Sequence, residues 1–271
     1  MTTKNKPTRK KVSVPTSQLS DQTAKTSPKP RDKTLKTLSS VLYVVLFMLW
    51  VFLSLVIGQV IVGAVLFSIL GENLYQNTLW TTVYTALSYA LSCFFVIYLP
   101  SKFKKLKLST NREELGLSGW PKWRDILIAI IGFFVYLFLA TILIAIFSWL
   151  FSWFDASEAQ NIGYSNLYNA GSRILAFVGL VIIAPIAEEL IFRGWLYGKL
   201  RRHTPIWIAT ILVSLLFGFA HSSWSVAVNV FAMSAVMCLM RELTGTIYST
   251  IILHIIKNAV AVFLLLYSGM L

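Results

Sequence analysis

Long apolar runs separated by short polar segments make up the chain from residue 39 onwards. Stretches of about twenty or more residues without a charge recur along it, and each is long enough to cross a bilayer as an α-helix. Helical spans are predicted, from the first to the last, at roughly 39–70, 75–99, 124–154, 171–198, 205–221, 223–240 and 246–269. The pattern therefore predicts an all-α fold, a polytopic transmembrane helical bundle of about seven spans.

The residues before the first apolar run have a different composition. Residues 1–36 are rich in Lys, Thr, Ser and Pro and lack the apolar side chains needed for a core, so we expect them to be disordered. The first apolar run begins near Ser39, too late and too long for the core of a cleaved signal peptide. The predicted organisation is a disordered basic cytoplasmic arm at 1–38, N-terminal transmembrane helices with a basic loop at 39–119, and a C-terminal membrane domain at 120–271.

The composition supports a membrane protein and argues against a nucleic-acid partner. Only 13% of the residues are charged, whereas roughly 25% is usual in a soluble domain. The formal net charge is +13, but ten of the basic residues lie in the first 36 positions and most of the others lie between apolar runs. This distribution is typical of topology signals and of a basic arm that contacts the anionic headgroups of a lipid bilayer.

Basic and non-basic loops alternate along the chain. The loop at 100–125 has seven Lys and Arg residues, and Lys or Arg also follows the fourth and sixth spans. The loops at 71–77 and 155–170 have none. Because basic loops stay on the cytoplasmic side, the alternation predicts a multi-pass plasma membrane protein with a cytoplasmic N-terminus. The small size and the lysine-rich arm favour a bacterial membrane.

Three charged side chains lie within the fourth predicted span, in the stretch APIAEELIFRGW at 184–195. An ionisable side chain at the bilayer centre costs about 2.5–3.5 kcal/mol, so it usually faces a partner or a water-filled cavity. Successive helical residues are about 100° apart, which places Glu189 and Arg193 on one face and Glu188 on another. We therefore predict a Glu189–Arg193 ion pair and a Glu188 side chain that points towards neighbouring helices.

Two further stretches place polar side chains in apolar helices. FGFAH at 217–221 ends the fifth span, and HIIKN at 254–258 places His254 and Asn258 on one face of the last span. At about 1.5 Å per residue, these two residues and Glu188 lie ~12–18 Å from the cytoplasmic ends of their spans. His221 lies ~24 Å deep by the same estimate, so it joins them only through a tilted or broken helix.

These side chains suit hydrolysis of a peptide bond inside the membrane. A buried carboxylate can both accept and release protons, so Glu188 and His221 can together deprotonate a shared water for attack on a peptide carbonyl. His254 and Asn258 can donate hydrogen bonds to the oxyanion that forms.

Three short motifs occur in a fixed order on successive predicted spans. EELIFR matches the pattern EExxxR, FGFAH matches FxxxH and HIIKN matches HxxxN. Together they resemble the CPBP family of intramembrane proteases, which includes the type II CAAX prenyl endopeptidases and bacterial proteins linked to bacteriocin self-immunity. The resemblance covers roughly residues 120–265, so the domain at 120–271 is expected to be a CPBP-like catalytic membrane domain.

The resemblance implies an intramembrane endopeptidase that acts on a membrane-embedded or membrane-associated peptide or protein. By similarity, Glu188 is the catalytic glutamate and His221 is its partner on the water. His254 and Asn258 are then the oxyanion side. The residues that would support this set are Glu189, Arg193 and Phe217.

A metal-dependent site is the alternative to a metal-free one. Members of the family have been described as metalloproteases and as metal-independent glutamate enzymes, and Glu188, His221 and His254 would suit a catalytic zinc. However, the chain lacks the HExxH spacing that places zinc ligands on one helix. We therefore predict no cofactor, with a divalent metal such as zinc as the alternative.

Two other functions fit parts of the sequence. In a proton-coupled transporter Glu188 and the histidines would form a relay, but carriers of this kind often have two similar halves. Here the polar residues in question all follow residue 180. A non-catalytic scaffold or immunity protein would act by binding and would have no need of four costly polar groups, so the protease is favoured.

Overall fold

The described part of the chain is built almost entirely from helices. The computed structural model describes residues 30–102, 110–158, 164, 167, 169–221 and 223–267. In chain order the helices are α1 (Pro30–Leu70), α2 (Asn73–Gln76), α3 (Thr78–Lys102), α4 (Trp123–Leu150), α5 (Ala170–Leu200), α6 (Ile206–Phe219), α7 (Trp224–Thr244) and α8 (Tyr248–Tyr267). No strand occurs in these ranges.

The all-α membrane bundle predicted from the sequence is confirmed. The helices long and apolar enough to cross a membrane are α1, α3, α4, α5 and α7. α6 and the apolar part of α8 lie at the predicted fifth and last spans but are shorter. Residues 1–29 of the predicted basic arm, and 103–109 of the predicted basic loop, lie outside the described residues. α1 begins at Pro30, so residues 30–38 of the predicted arm are helical.

The backbone of α5 is irregular in its middle. Two π-helical stretches, Val178–Ile183 and Leu190–Leu196, flank a short α-helical stretch at Ala184–Glu189. Pro185 lies at the start of that short stretch, and a proline inside a helix removes one N–H donor and disturbs the regular bonding pattern. Local π-helical turns of this kind occur often at functional sites. The charged residues predicted for chemistry therefore lie in the least regular part of the helix.

The second half of α5 is enclosed by other helices of the compact unit Ser39–Leu271. α3 and α8 pack against its first half and middle, and α6 and α7 contact its second half. Nearly every residue from 191 to 200 is buried. The Trp195 side chain, for example, meets Phe47 of α1 edge-on with ring centres 5.7 Å apart. A helix that is surrounded on all sides can hold a charge only if that charge is paired within the protein.

α1 and α3 approach each other closely at Gly58. A Cβ atom at residue 58 would lie 2.5 Å from Ser92 Oγ and 3.1 Å from the carbonyl oxygen of Ser88. A Cβ atom at Gly63 would meet only the Tyr84 ring, at 3.5 Å. The two glycines of α1 therefore differ in how much space surrounds them.

We expect Gly58→Leu to lower the free energy of unfolding by about 1–3 kcal/mol, because the larger side chain overpacks the contact with α3. Gly63→Leu is the matched control, with an expected change within about 0.5 kcal/mol. Thermal unfolding of both purified variants in the same detergent checks this. Equal melting temperatures for the two variants would contradict the close approach at Gly58.

Candidate active site

A cavity of about 640 Å³ lies between the helices of this bundle. It is lined by side chains from α1, α3 and α5 to α8. The four residues predicted to carry the chemistry all line it, namely Glu188, His221, His254 and Asn258. Phe217 lines it as well, whereas Glu189 and Arg193 lie behind its wall with no exposed surface.

Behind the cavity wall, Glu189 and Arg193 form a fully buried ion pair. Arg193 Nη1 donates a hydrogen bond to Glu189 Oε1 at 2.9 Å, one helical turn apart on α5. The guanidinium carbon of Arg193 also lies 4.5 Å from the centre of the Phe217 ring, a cation–π contact. Because a buried charge without a partner is strongly destabilising, each side chain of the pair holds the other in position.

His254 connects this pair to Glu188. Its Nδ1 lies 2.9 Å from Glu189 Oε1, and its Nε2 lies 3.6 Å from Glu188 Oε2. An ionised carboxylate only accepts hydrogen bonds, so Nδ1 carries the proton and donates it to Glu189. Nε2 is therefore aimed at Glu188 and the cavity. The ion pair predicted from the sequence has a third member, which comes from α8.

His221 reaches the cavity because α6 is short. α6 has 14 residues and is about 21 Å long, whereas the hydrocarbon core of a bilayer is about 30 Å thick. After Phe219 the chain turns, with the His221 N–H donating to Gly218 O at 3.0 Å. The short helix and the turn bring His221 to the cavity that Glu188 lines, as the estimate of its depth required.

A second hydrogen bond orients the ring of His221. Its Nδ1 lies 2.9 Å from the carbonyl oxygen of Phe217. Because a carbonyl oxygen cannot donate, Nδ1 carries the proton and Nε2 of the neutral ring is a proton acceptor. His221 and Glu188 line the same cavity. The cavity therefore brings a carboxylate and an imidazole acceptor together.

The Phe217 ring is the centre of the aromatic packing around these groups. It meets the rings of Phe192, His221 and His254 edge-on, with ring centres 4.9, 5.3 and 6.0 Å apart. Edge-to-face arrangements of this kind are favourable and directional. Phe217, predicted as a supporting residue, therefore contacts both cavity histidines.

Asn258 satisfies a backbone group that the irregular part of α5 exposes. The Ala184 N–H bonds to Gly179 O, five residues earlier. In the same register the next carbonyl, that of Leu180, would face Pro185, which has no N–H. Asn258 Nδ2 supplies a donor to Leu180 O at 2.8 Å. One N–H of the Asn258 amide is thus structural, and the amide has a second N–H for other partners.

Tyr89 and Lys257 are cavity residues with reactive groups that the sequence motifs gave no role. Tyr89 of α3 donates a hydrogen bond from its hydroxyl to Glu188 Oε1, and Lys257 of α8 lines the cavity. No local pattern links residue 89 to residue 188, so Tyr89 could be found only from the fold. Lys257 had the same signal as Glu188, a charge inside an apolar span, and could have been found from it.

The described residues do not form a recognisable metal-binding site. Among them, no group of three or more His, Cys, Asp or Glu side chains is arranged to hold one. The alternative zinc set of Glu188, His221 and His254 is not among such groups. The geometry gives that set no support, and the metal-free mechanism stays a prediction.

A comparison with protein families covers the region that builds the site. Residues 170–260 match the family described as type II CAAX prenyl endopeptidase Rce1-like. The matched region runs from the start of α5 into α8 and contains the cavity residues that the three motifs predicted. The predicted resemblance to CAAX-type intramembrane proteases is thereby confirmed for this region.

Two relatives come from Bacillus subtilis (strain 168). The chain is 27% identical over 174 residues to the protein named "Putative membrane peptidase YdiL". The aligned region covers 64% of this chain and 67% of the relative. The chain is 28% identical over 108 residues to "Uncharacterized protein YpbD". This aligned region covers 40% of the chain and only 55% of that relative. No solved structure matches the chain. Together with the apolar helices, the peptidase relative supports a multi-pass membrane protein.

Glu189→Gln should lower the stability by about 3–5 kcal/mol, because it leaves the charge of Arg193 buried without a partner. Glu188→Gln is the matched control at the neighbouring position. It leaves the Glu189–Arg193–His254 contacts intact, so we expect its folded yield and melting temperature to stay close to those of the parent protein. Folded yield and thermal unfolding in detergent measure both variants. Equal stability of the two variants would contradict the structural role of the buried pair.

Proposed function

We propose that this chain is an intramembrane endopeptidase that hydrolyses a peptide bond of a membrane-embedded or membrane-associated protein or peptide. One observation carries the proposal, the meeting of Glu188, His221, His254 and Asn258 at a single cavity. The family match over residues 170–260 supports the same class of reaction.

Glu188 and His221 activate the water in the proposed mechanism. A water held between the Glu188 carboxylate and His221 Nε2 gives up a proton and attacks the carbonyl carbon of the peptide bond. The hydrogen bond from Tyr89 orients the carboxylate, and the hydrogen bond to Phe217 O orients the imidazole. Holding both acceptors in place before the reaction lowers its entropic barrier.

The oxyanion that forms on the carbonyl oxygen requires donors aimed at it. The second N–H of Asn258 is one donor. His254 is the other when both of its ring nitrogens are protonated, because Nδ1 donates to Glu189 and Nε2 faces the cavity. Collapse of the tetrahedral intermediate breaks the C–N bond, and the proton taken from the water passes to the leaving amine.

The proposal places the protein in a bacterial plasma membrane with its N-terminus in the cytoplasm. The alternation of basic and non-basic loops supports this orientation, and both relatives are bacterial proteins. In this orientation the basic arm at 1–38 faces the anionic headgroups of the inner leaflet.

Glu188→Gln should abolish cleavage, because the amide cannot take a proton from the water. Mass spectrometry of peptide termini compares membranes that contain the parent protein, Glu188→Gln or Glu113→Gln. Glu113 is an exposed acid in the loop before α4 and serves as the control. New termini are expected with the parent protein and with Glu113→Gln, and not with Glu188→Gln. The same termini in all three samples would overturn the proposed function.

Tyr89→Phe should lower kcat roughly tenfold, because a hydrogen bond to a charged group is worth about 1.5–3 kcal/mol and this one orients the proton acceptor. KM should change little, whereas the melting temperature should fall, because the folded state loses a hydrogen bond to a charged group. Tyr98→Phe is the control on the same helix, since Tyr98 does not line the cavity. Steady-state kinetics in liposomes separate kcat from KM. An unchanged kcat in Tyr89→Phe would remove Tyr89 from the mechanism.

A further inference from the structure

Lys257 is a charged residue of the cavity that the proposed mechanism does not use. It lies on α8 between His254 and Asn258, and its side chain lines the cavity. Of the lining residues in the described ranges, it is the only lysine or arginine. An ammonium group inside a membrane helix is costly unless it meets an opposite charge.

The described carboxylates near the cavity have other partners. Glu189 forms an ion pair with Arg193, and Glu188 accepts a hydrogen bond from Tyr89. None of the ion pairs among the described residues includes Lys257. Within the part of the protein that the structure describes, the cavity therefore offers a positive charge that a ligand can use.

The charge of Lys257 is close to the place of the reaction. Lys257 lines the same cavity as Glu188 and His221, the two groups between which the water would be held. One turn further along α8, Ala261 and Val262 line the same cavity with apolar surface. A peptide bound along α8 would thus meet a cation beside its cleaved bond and an apolar surface next to it.

We propose that Lys257 binds a carboxylate of the peptide substrate, so that the cavity selects peptides with an acidic group close to the cleaved bond. This inference rests on the proposed function, since it assigns the substrate class of the same cavity. The carboxylate can be the C-terminus of the peptide or the side chain of Asp or Glu, because an ammonium group is a compact point charge that accepts either.

Peptide binding tests the inference without requiring hydrolysis. The probe is a fluorescent peptide of ten apolar residues in three forms: the C-terminal acid, the C-terminal amide, and the amide with one internal Asp. The protein is the full chain with Glu188→Gln in liposomes of neutral lipid, alone or combined with Lys257→Met, Lys257→Arg or Lys122→Met. Lys122 is an exposed lysine just before α4, outside the cavity, and serves as the control.

Lys257→Met should weaken binding of at least one carboxylate-bearing form roughly tenfold or more, because it removes a charged hydrogen bond. Binding of the neutral amide should stay unchanged. Lys257→Arg keeps the charge and should retain the preference, as should Lys122→Met. A loss for the acid form alone identifies the C-terminus as the ligand, and a loss for the Asp form alone identifies a side chain.

Equal binding of the carboxylate-bearing and neutral forms would overturn the inference. An equal loss for all three forms in Lys257→Met would also overturn it, because Lys257 would then be a counter-charge for the cavity in general. The same peptides are incubated with the protein that retains Glu188, and their products are analysed. A carboxylate preference without any cleavage would disprove the proposed function and leave the Lys257 site standing.

Discussion

The buried contact of Glu189 with Arg193 and His254 is the interaction on which the rest of the site depends. Two of these side chains belong to α5 and the third to α8. Charges taken out of water must be paired with good geometry, so the contact allows only one rotation of α5 against α8. Since neighbouring helical residues are about 100° apart, that rotation also decides where Glu188 points. The costly charges of the membrane interior thus set the geometry of the cavity.

A polar cavity also makes the irregular backbone tolerable. Within a membrane, non-helical backbone is found only where protein or a water-filled cavity satisfies its polar groups. The turn after α6 carries His221 to the cavity, where the Phe217 carbonyl accepts from its ring. The π-helical stretch of α5 leaves the Leu180 carbonyl without its usual donor, and Asn258 supplies one. The groups proposed for the chemistry therefore also complete the hydrogen bonding of the helices that hold them.

These contacts give α8 two attachments to α5, one turn apart. His254 binds Glu189 in the middle of α5, and Asn258 binds the carbonyl of Leu180 nearer its start. Lys257 lies between them in sequence and lines the same cavity. The face of α8 that supports α5 and the face proposed to meet substrate are therefore largely the same.

The sequence by itself determined the helical class, the approximate limits of the membrane helices and the motif residues. Runs of apolar residues and rare charges within them are local properties, and Glu188, His221, His254 and Asn258 all follow from such patterns. It did not determine that His254 binds Glu189, that Tyr89 binds Glu188 or that Asn258 binds the Leu180 carbonyl. Each of these contacts joins residues far apart in the chain, and only the packing and rotation of the helices bring their side chains within hydrogen-bonding distance.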